Sequence, residues 1–350
     1  MVWIFDMRIA FVGIEKDWYK LKQDNYADKF VKYHLELPFY YCKFGGNSVD
    51  VYTNIDKTYV VNNELRCSSA PLQVRPNSAW TGGKQYDVVI HWRKWFKEYY
   101  SENAINVINS QDHSYSQEWL SKVDNATSEG KLYGILCFPT WHVNNLENEL
   151  SHLHHVPKML PGVTLGVDTE IYKPKKKNPY DMLWASDPGR GLQQAVHLAT
   201  ELFREDQRFK LHVCWPDYHK DQLNLSHPAI QVHKNLSNGP ELWDLFNTSA
   251  YLPYTSTFME PSSRAHRQAM AAGCVVFYPP NMGTPSELIK DMENGYVCDI
   301  DQWRDCILEC TDPGVDTIQV FGKAAREYAI SENWEVQAKR FNKLFKEIKK

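Results

Sequence analysis

Short apolar runs alternate with longer amphipathic stretches along nearly the whole chain. Met7–Gly13 (MRIAFVG) reads as a buried first strand. Ala27–Gly46 carries helical spacing and stops at a glycine pair, and Ser48–Asn54 then reads as a second strand. Tyr86–Trp92, Ile105–Gln111 and Leu132–Phe138 are further strand-like runs, while the polar stretch between the second strand and Tyr86 has no assignable period. Leu160–Asp181 packs proline, glycine and lysine into one non-periodic segment and reads as a linker, with Lys175, Lys176 and Lys177 on a solvated face. A second block follows: strand Met182–Ser186, helix Leu192–Phe203, strand Lys210–Cys214, helix Pro240–Phe246, strand Ala250–Tyr254, a helix opening at Glu260, and strand Cys274–Tyr278. Residues 331–348 form an amphipathic terminal helix. Strands alternating with helices predict an α/β chain of two Rossmann-like halves with parallel sheets. The expected division is a first domain over 1–163, a second over 164–330 and a closing helix over 331–350.

Composition narrows the partners. A chain of 350 residues with 43% hydrophobic positions can build two cores. The net charge of −4 argues against a nucleic-acid binder, without excluding a local basic groove. Eight scattered cysteines include no CxxC pair, which predicts reduced thiols and a cytoplasmic setting. The apolar start lacks a basic flank and a small-residue cleavage site, and no run approaches the ~20 apolar residues of a spanning helix. The Asn-x-Ser/Thr matches at Asn125, Asn224, Asn235 and Asn247 carry no weight without a secretion route.

Candidate chemistry concentrates in the second half. In Phe258–Cys274 (FMEPSSRAHRQAMAAGC), Pro261 suits the first position of a helix, and Ser262 and Ser263 would present backbone N–H groups to an anion there. In Trp184–Val196 (WASDPGRGLQQAV), a strand turns into a helix through Gly189, Arg190 and Gly191. An arginine there stands at the carboxyl edge of the sheet, ready to pair with phosphate. GxGxxG occurs in neither half, which excludes the usual dinucleotide fingerprint.

Four segments occur in a fixed order: Gly-Val-Asp near 166–168, Pro-Gly-Arg-Gly-Leu at 188–192, Glu-Pro with Ala-Met-Ala-Ala-Gly at 260–273, and Thr-Pro-Ser-Glu-Leu-Ile with Asn-Gly-Tyr-Val at 284–297. This order resembles the retaining GT-B glycosyltransferases, especially family 4. The resemblance implies two Rossmann-like domains facing across a cleft, with the terminal helix closing back on the N-terminal domain. It also implies a nucleotide-diphosphate-sugar donor in the second domain and no metal.

By the same resemblance, Arg190 contacts the donor diphosphate and Glu260 faces the donor sugar. Gly189, Gly191, Ser262 and Ser263 line the donor site. The family's second glutamate is replaced by Gln268, which can still accept a ribose hydrogen bond, though more weakly than a carboxylate. That departure keeps a non-catalytic nucleotide-sugar module open. In the first half, Asp112 and His113 follow a predicted strand, where a histidine of this superfamily often reaches the donor sugar. A capping aspartate beside a partly exposed histidine is the alternative. A similar Asp-His stretch in phage DNA-modifying glucosyltransferases leaves both a glycan and a nucleic-acid acceptor open. Lys16, in the loop after the first strand, has no firm role. The histidines at 152, 154 and 155 lack a metal-ligand framework, and Asp299–Asp301 lies far from any expected diphosphate.

Overall fold

The computed structural model describes residues 7–14, 36–55, 58–61, 72–138, 140–162, 165–186, 188–215, 225–234, 236, 239–256, 258–283 and 285–350. The chain forms two compact units, Met1–Leu165 with Trp334–Lys350, and Gly166–Asn333.

The first unit is an eight-stranded sheet in the order β3-β4-β2-β1-β5-β6-β7-β8. Its strands are β1 (Arg8–Ile14), β2 (Ser48–Thr53), β3 (Tyr59–Val61), β4 (Leu72–Pro76), β5 (Val88–Trp92), β6 (Ile105–Asn109), β7 (Gly134–Cys137) and β8 (Lys158–Pro161). All pairings are parallel except β3 with β4. The central strands are buried on both faces, which is why β1 and β5 read as unbroken apolar runs rather than alternating ones. The unassigned polar stretch holds β3 and β4, and the expected linker begins inside β8. β3 is only three residues long, and β4 and β8 carry polar positions that stay partly or fully exposed, so none gives an unbroken buried run.

Helices α1 (Glu36–Gly45), α2 (Gln117–Ser128) and α3 (Trp141–Leu150) belong to this unit. The expected start of the first helix at Ala27, and Lys16, lie outside the described residues.

The second unit has a six-stranded, wholly parallel sheet in the order β11-β10-β9-β12-β13-β14. The strands are β9 (Asn178–Ala185), β10 (Lys210–Trp215), β11 (Ile230–Lys234), β12 (Ser249–Pro253), β13 (Val275–Tyr278) and β14 (Gly295–Val297). The accompanying helices are α4 (Leu192–Glu205), α5 (Pro240–Thr248), α6 (Arg264–Ala271), α7 (Pro285–Leu288), α8 (Trp303–Thr311) and α9 (Thr317–Ser331). Trp184, Phe277 and Trp303 are almost wholly buried in its core. Strand β9 starts at Asn178, inside the segment read as linker, because its first residues are polar and only partly covered.

The last helix, α10 (Trp334–Ile348), belongs to the first unit. Its apolar stripe, Trp334, Ala338, Phe341 and Phe345, is buried against α1. Phe341 meets Tyr41 at a centroid distance of 4.0 Å, and Trp334 stacks on Tyr40 at 4.9 Å. Asn342 closes the seam, accepting from Asn47 Nδ2 at 2.8 Å and donating to the Gly45 carbonyl at 2.7 Å. No described helix is long and apolar enough to cross a membrane. Seven described cysteines, Cys42, Cys137, Cys214, Cys274, Cys298, Cys306 and Cys310, are thiols outside any disulfide.

Truncating Phe341 to alanine should cost ~3–5 kcal/mol, the usual price of emptying a buried aromatic site. The exposed Lys343 on the same helix should tolerate alanine to within ~0.5 kcal/mol. Urea denaturation of the two variants checks the contrast, and equal midpoints would refute the docking of α10.

Candidate functional site

In an open parallel sheet, ligands bind at the carboxyl ends of strands where the strand order reverses. In the second unit that point lies between β9 and β12, which pair in the middle of the sheet. Two chain segments leave the sheet there. After β9, a turn of 3-10 helix over Pro188–Arg190 leads into α4, capped by Gly191. After β12 come Tyr254, Thr255 and the stretch that carries Glu260.

The two segments are locked together. Gly191 has φ +90°, and a Cβ there would stand 2.3 Å from the Thr255 carbonyl oxygen, so only glycine fits. Thr255 Oγ1 donates back to the Gly191 carbonyl at 2.5 Å. Arg190 Nη1 donates to Glu260 Oε1, and the Tyr254 hydroxyl donates to the same oxygen at 3.0 Å. The Glu260 side chain is 5% exposed and that of Arg190 41%, so the carboxylate is enclosed while the guanidinium keeps a wet face. The Glu260 backbone N–H reaches the Met282 carbonyl at 3.0 Å, and Gly283, at φ +103°, lies alongside. A Cβ on Gly283 would sit 2.5 Å from the Glu260 carbonyl oxygen.

The helix after Glu260 opens later than the sequence suggests. It begins at Arg264 and is capped by Ser263, so Pro261 is not its first residue. Glu260 instead pairs with Gly283 in an isolated bridge, a tertiary contact that overrides the proline preference. Ser263 Oγ accepts the His266 N–H at 3.4 Å and bonds to His266 Nδ1, which leaves its hydroxyl committed to the cap. The Ser262 hydroxyl is shielded and has no hydrogen-bond partner among the described residues. Gly189 is exposed in the turn. Gln268 shares the less buried face of α6 with Arg264, one turn away. Asp187 and Thr284 lie outside the described residues.

Asp112 and His113 lie in the first unit, after β6, and its switch point falls between β1 and β5. There Gly13, Trp92, Arg93, Asp112, Tyr115 and Trp119 help to line a cavity of about 470 Å³. Asp112 does not cap a helix: Ser116 caps α2, and Asp112 accepts two hydrogen bonds from Arg93, from Nε at 2.9 Å and from Nη2. Arg93 has φ +65°, an uncommon conformation for a side-chain-bearing residue that tends to mark functional positions. The Trp119 indole donates to the Arg93 carbonyl at 2.8 Å. His113 is partly exposed, and its carbonyl accepts from Asn145 at 2.9 Å. His142 anchors the loop: its Nε2–H donates to the Asp112 carbonyl at 2.9 Å, while its Nδ1 accepts the Phe138 N–H at 3.2 Å.

Sequence reasoning overlooked Arg93, His142, Tyr115 and Trp119 here, and Tyr254 and Thr255 in the second unit. Arg93 and Tyr254 were findable, since each stands at the carboxyl end of a predicted strand. His142 gives no such signal, because a helix histidine carries no mark of what it will bond. Of the remaining candidates, Asp299 caps a short 3-10 turn at Ile300–Gln302, and His155 pairs with Asp124 at 3.2 Å. Among the described residues no histidine, cysteine, aspartate and glutamate grouping could hold a metal ion.

No family model and no curated protein matches the chain. Solved structures do. The GtfA/B complex superposes with a TM-score of 0.60 at 16% identity, over 75% of this chain and 57% of that one. Sucrose-phosphate synthase from Thermosynechococcus elongatus gives 0.68 at 11% identity, over 98% of this chain and 99% of that one. Anabaena HepE in complex with UDP and glucose gives 0.64 at 14% identity, over 97% and 100%. The chain spans little more than half the length of the GtfA and TarM structures, and essentially all of the other two. At these identities the likeness is one of fold: two Rossmann-like units, the fold of the GT-B glycosyltransferases.

Three buried histidines set a pH limit. Burial pushes His91 and His266 down to about 3 and His142 down to about 4. Each ring is neutral in the folded protein, whereas the unfolded chain takes up a proton near pH 6.5. Stability is therefore full above that pH and falls as the pH drops toward the folded values. The loss should be about 2 kcal/mol per ring between pH 7 and pH 5. Urea unfolding across that interval should show the slope, and His142→Gln should remove about one ring's share. A flat profile would mean that these rings protonate while folded.

Proposed function

We propose that this chain transfers a glycosyl group from a nucleoside diphosphate sugar to an acceptor hydroxyl, with retention at the anomeric carbon. The observation that carries the reading is the Arg190–Glu260 pair at the switch point of the second sheet. A half-exposed guanidinium beside an enclosed carboxylate offers one group to an anion and another to sugar hydroxyls. Bond cleavage leaves negative charge on the departing nucleoside diphosphate. Arg190 stabilises it, helped by backbone N–H groups around Ser262 and Ser263 before the first turn of α6. Glu260 faces the donor sugar, Gly189 and Gly191 let the turn approach the phosphates, and Gln268 meets the ribose. Retention and freedom from a metal are carried by the resemblance of these motifs to family 4.

UDP is the first nucleotide to try, since HepE was solved with UDP and glucose and the pneumococcal GtfA with UDP and GlcNAc. For the acceptor, the first unit's cavity favours a sugar ring. Trp119 and Tyr115 offer apolar faces, and the Arg93–Asp112 pair offers hydrogen bonds to hydroxyls. By the same resemblance, His113, which follows Asp112 on this loop, is the residue that reaches the donor sugar.

A thermal-shift series with UDP, GDP and ADP should single out one nucleotide, because binding adds stability in proportion to ligand excess. Arg190→Ala should lower turnover of the matching nucleotide-sugar by roughly two orders of magnitude, the worth of one charge-stabilising contact. Turnover should persist in EDTA, and the anomeric proton coupling of the product should report retention. Unchanged turnover in Arg190→Ala, or loss in EDTA that manganese restores, would contradict the leaving-group assignment.

Gln268 supplies a finer check. Gln268→Glu should tighten nucleotide binding by up to ~1 kcal/mol, as a charge-assisted bond replaces a neutral one, and Gln268→Ala should weaken it similarly. Calorimetric titration with the nucleoside diphosphate compares the three proteins. Identical affinities would place the ribose elsewhere.

A further inference from the structure

Tyr254 is the first residue beyond β12 and is 3% exposed. Its ring is held on three sides. Trp184 stacks on it at 5.6 Å, Tyr278 stacks at 6.1 Å, and His266 meets it edge-on at 4.4 Å. A ring so enclosed cannot swing, so its hydroxyl occupies a fixed point.

That hydroxyl lies 3.2 Å from Ser186 Oγ and 3.0 Å from Glu260 Oε1. A phenol has one proton, and an ionised carboxylate can only accept, so the Tyr254 proton goes to Glu260. Ser186 must then donate to the Tyr254 oxygen. The relay runs Ser186 to Tyr254 to Glu260, from the end of β9 to the loop after β12. Arg190 ends on the same Oε1. Among the described residues, both side-chain bonds to this carboxylate therefore converge on one oxygen.

We infer that Tyr254 is a positioning residue: with Arg190 it commits Glu260 Oε1 to the protein and thereby presents Oε2 to the donor sugar. The inference rests on the donor reading above. A buried carboxylate rotates about its last torsion unless something holds it, and that torsion is broad and roughly two-fold. Arg190 alone is a poor clamp, since its own half-exposed side chain must also serve the phosphates. Tyr254 supplies the contact that does not move when the donor arrives. Its role is thus to fix the carboxylate plane, which matters for the sugar and not for the nucleotide.

The test uses Tyr254→Phe, which keeps the ring stack and deletes only the proton. Hydrolysis of UDP-glucose and of UDP-N-acetylglucosamine is measured together with the affinity for UDP and the melting temperature. Turnover should fall about tenfold, the effect of one hydrogen bond made to a reacting-site charge. UDP affinity should stay within about twofold, as expected for a group that does not touch the nucleotide. In a Glu260→Gln background, Tyr254→Phe should have no further effect, because the two residues act as one unit. Ser186→Ala should reproduce the turnover defect in weaker form, which guards against a folding artefact in the tyrosine variant. Equal losses in both Glu260 backgrounds, or a lower melting temperature with unchanged turnover, would make Tyr254 merely structural. Wild-type protein that binds none of UDP, GDP and ADP would overturn the donor reading and this inference together, and selection of GDP or ADP would carry the same variants over to the sugars of that nucleotide. UDP binding and turnover that Tyr254→Phe leaves untouched would overturn the positioning role alone.

Discussion

A carboxylate taken almost wholly out of water costs several kcal/mol unless charge and hydrogen bonds meet it. Glu260 is such a group, and the organisation of the second unit follows from how that demand is met. Arg190 has to arrive from β9, three strands earlier in sequence than β12, and Tyr254 from the end of β12. These strands must therefore be neighbours, which the order β9-β12 provides only because the chain first builds outward through β10 and β11 and then returns. The close backbone approaches at Gly191 and Gly283 serve the same end, since each lets a loop come near enough for its side chains to converge.

The first unit solves a related problem with milder means. Its paired charges, Arg93 and Asp112, are more open to water, with side-chain exposures of 55% and 30%. Screening weakens such a pair, so the loop relies on neutral contacts for its shape: the Trp119 indole on the Arg93 carbonyl and the His142 ring on the Asp112 carbonyl. One unit thus holds its charged centre by enclosure, the other by anchoring the backbone around it.

What could be read from the chain alone divides along physical lines. Interior strands such as β1, β5, β12 and β13 were legible because two-sided burial demands unbroken apolar runs. Strands β3, β4 and β8 were not, since β3 is only three residues long and β4 and β8 keep polar positions partly or fully exposed. Arg190 and Glu260 stood out by local context, a glycine-flanked arginine and a carboxylate before proline. Their direct contact was invisible, because it joins positions seventy residues apart. The start of α6 was misread for a similar reason: proline reports a local preference, and the bridge between Glu260 and Gly283 decides otherwise.

The return of α10 to the first unit has a bearing on how the protein comes into being. Trp334, Ala338, Phe341 and Phe345 complete a core whose other buried members run from Met7 to Leu165, and the whole second unit is synthesised in between. A nascent chain therefore carries the α1 face uncovered through the entire translation of Gly166–Asn333, while that second unit is already free to fold on its own. The core of unit one can therefore close over α1 only after Trp334–Ile348 has followed unit two out of the ribosome.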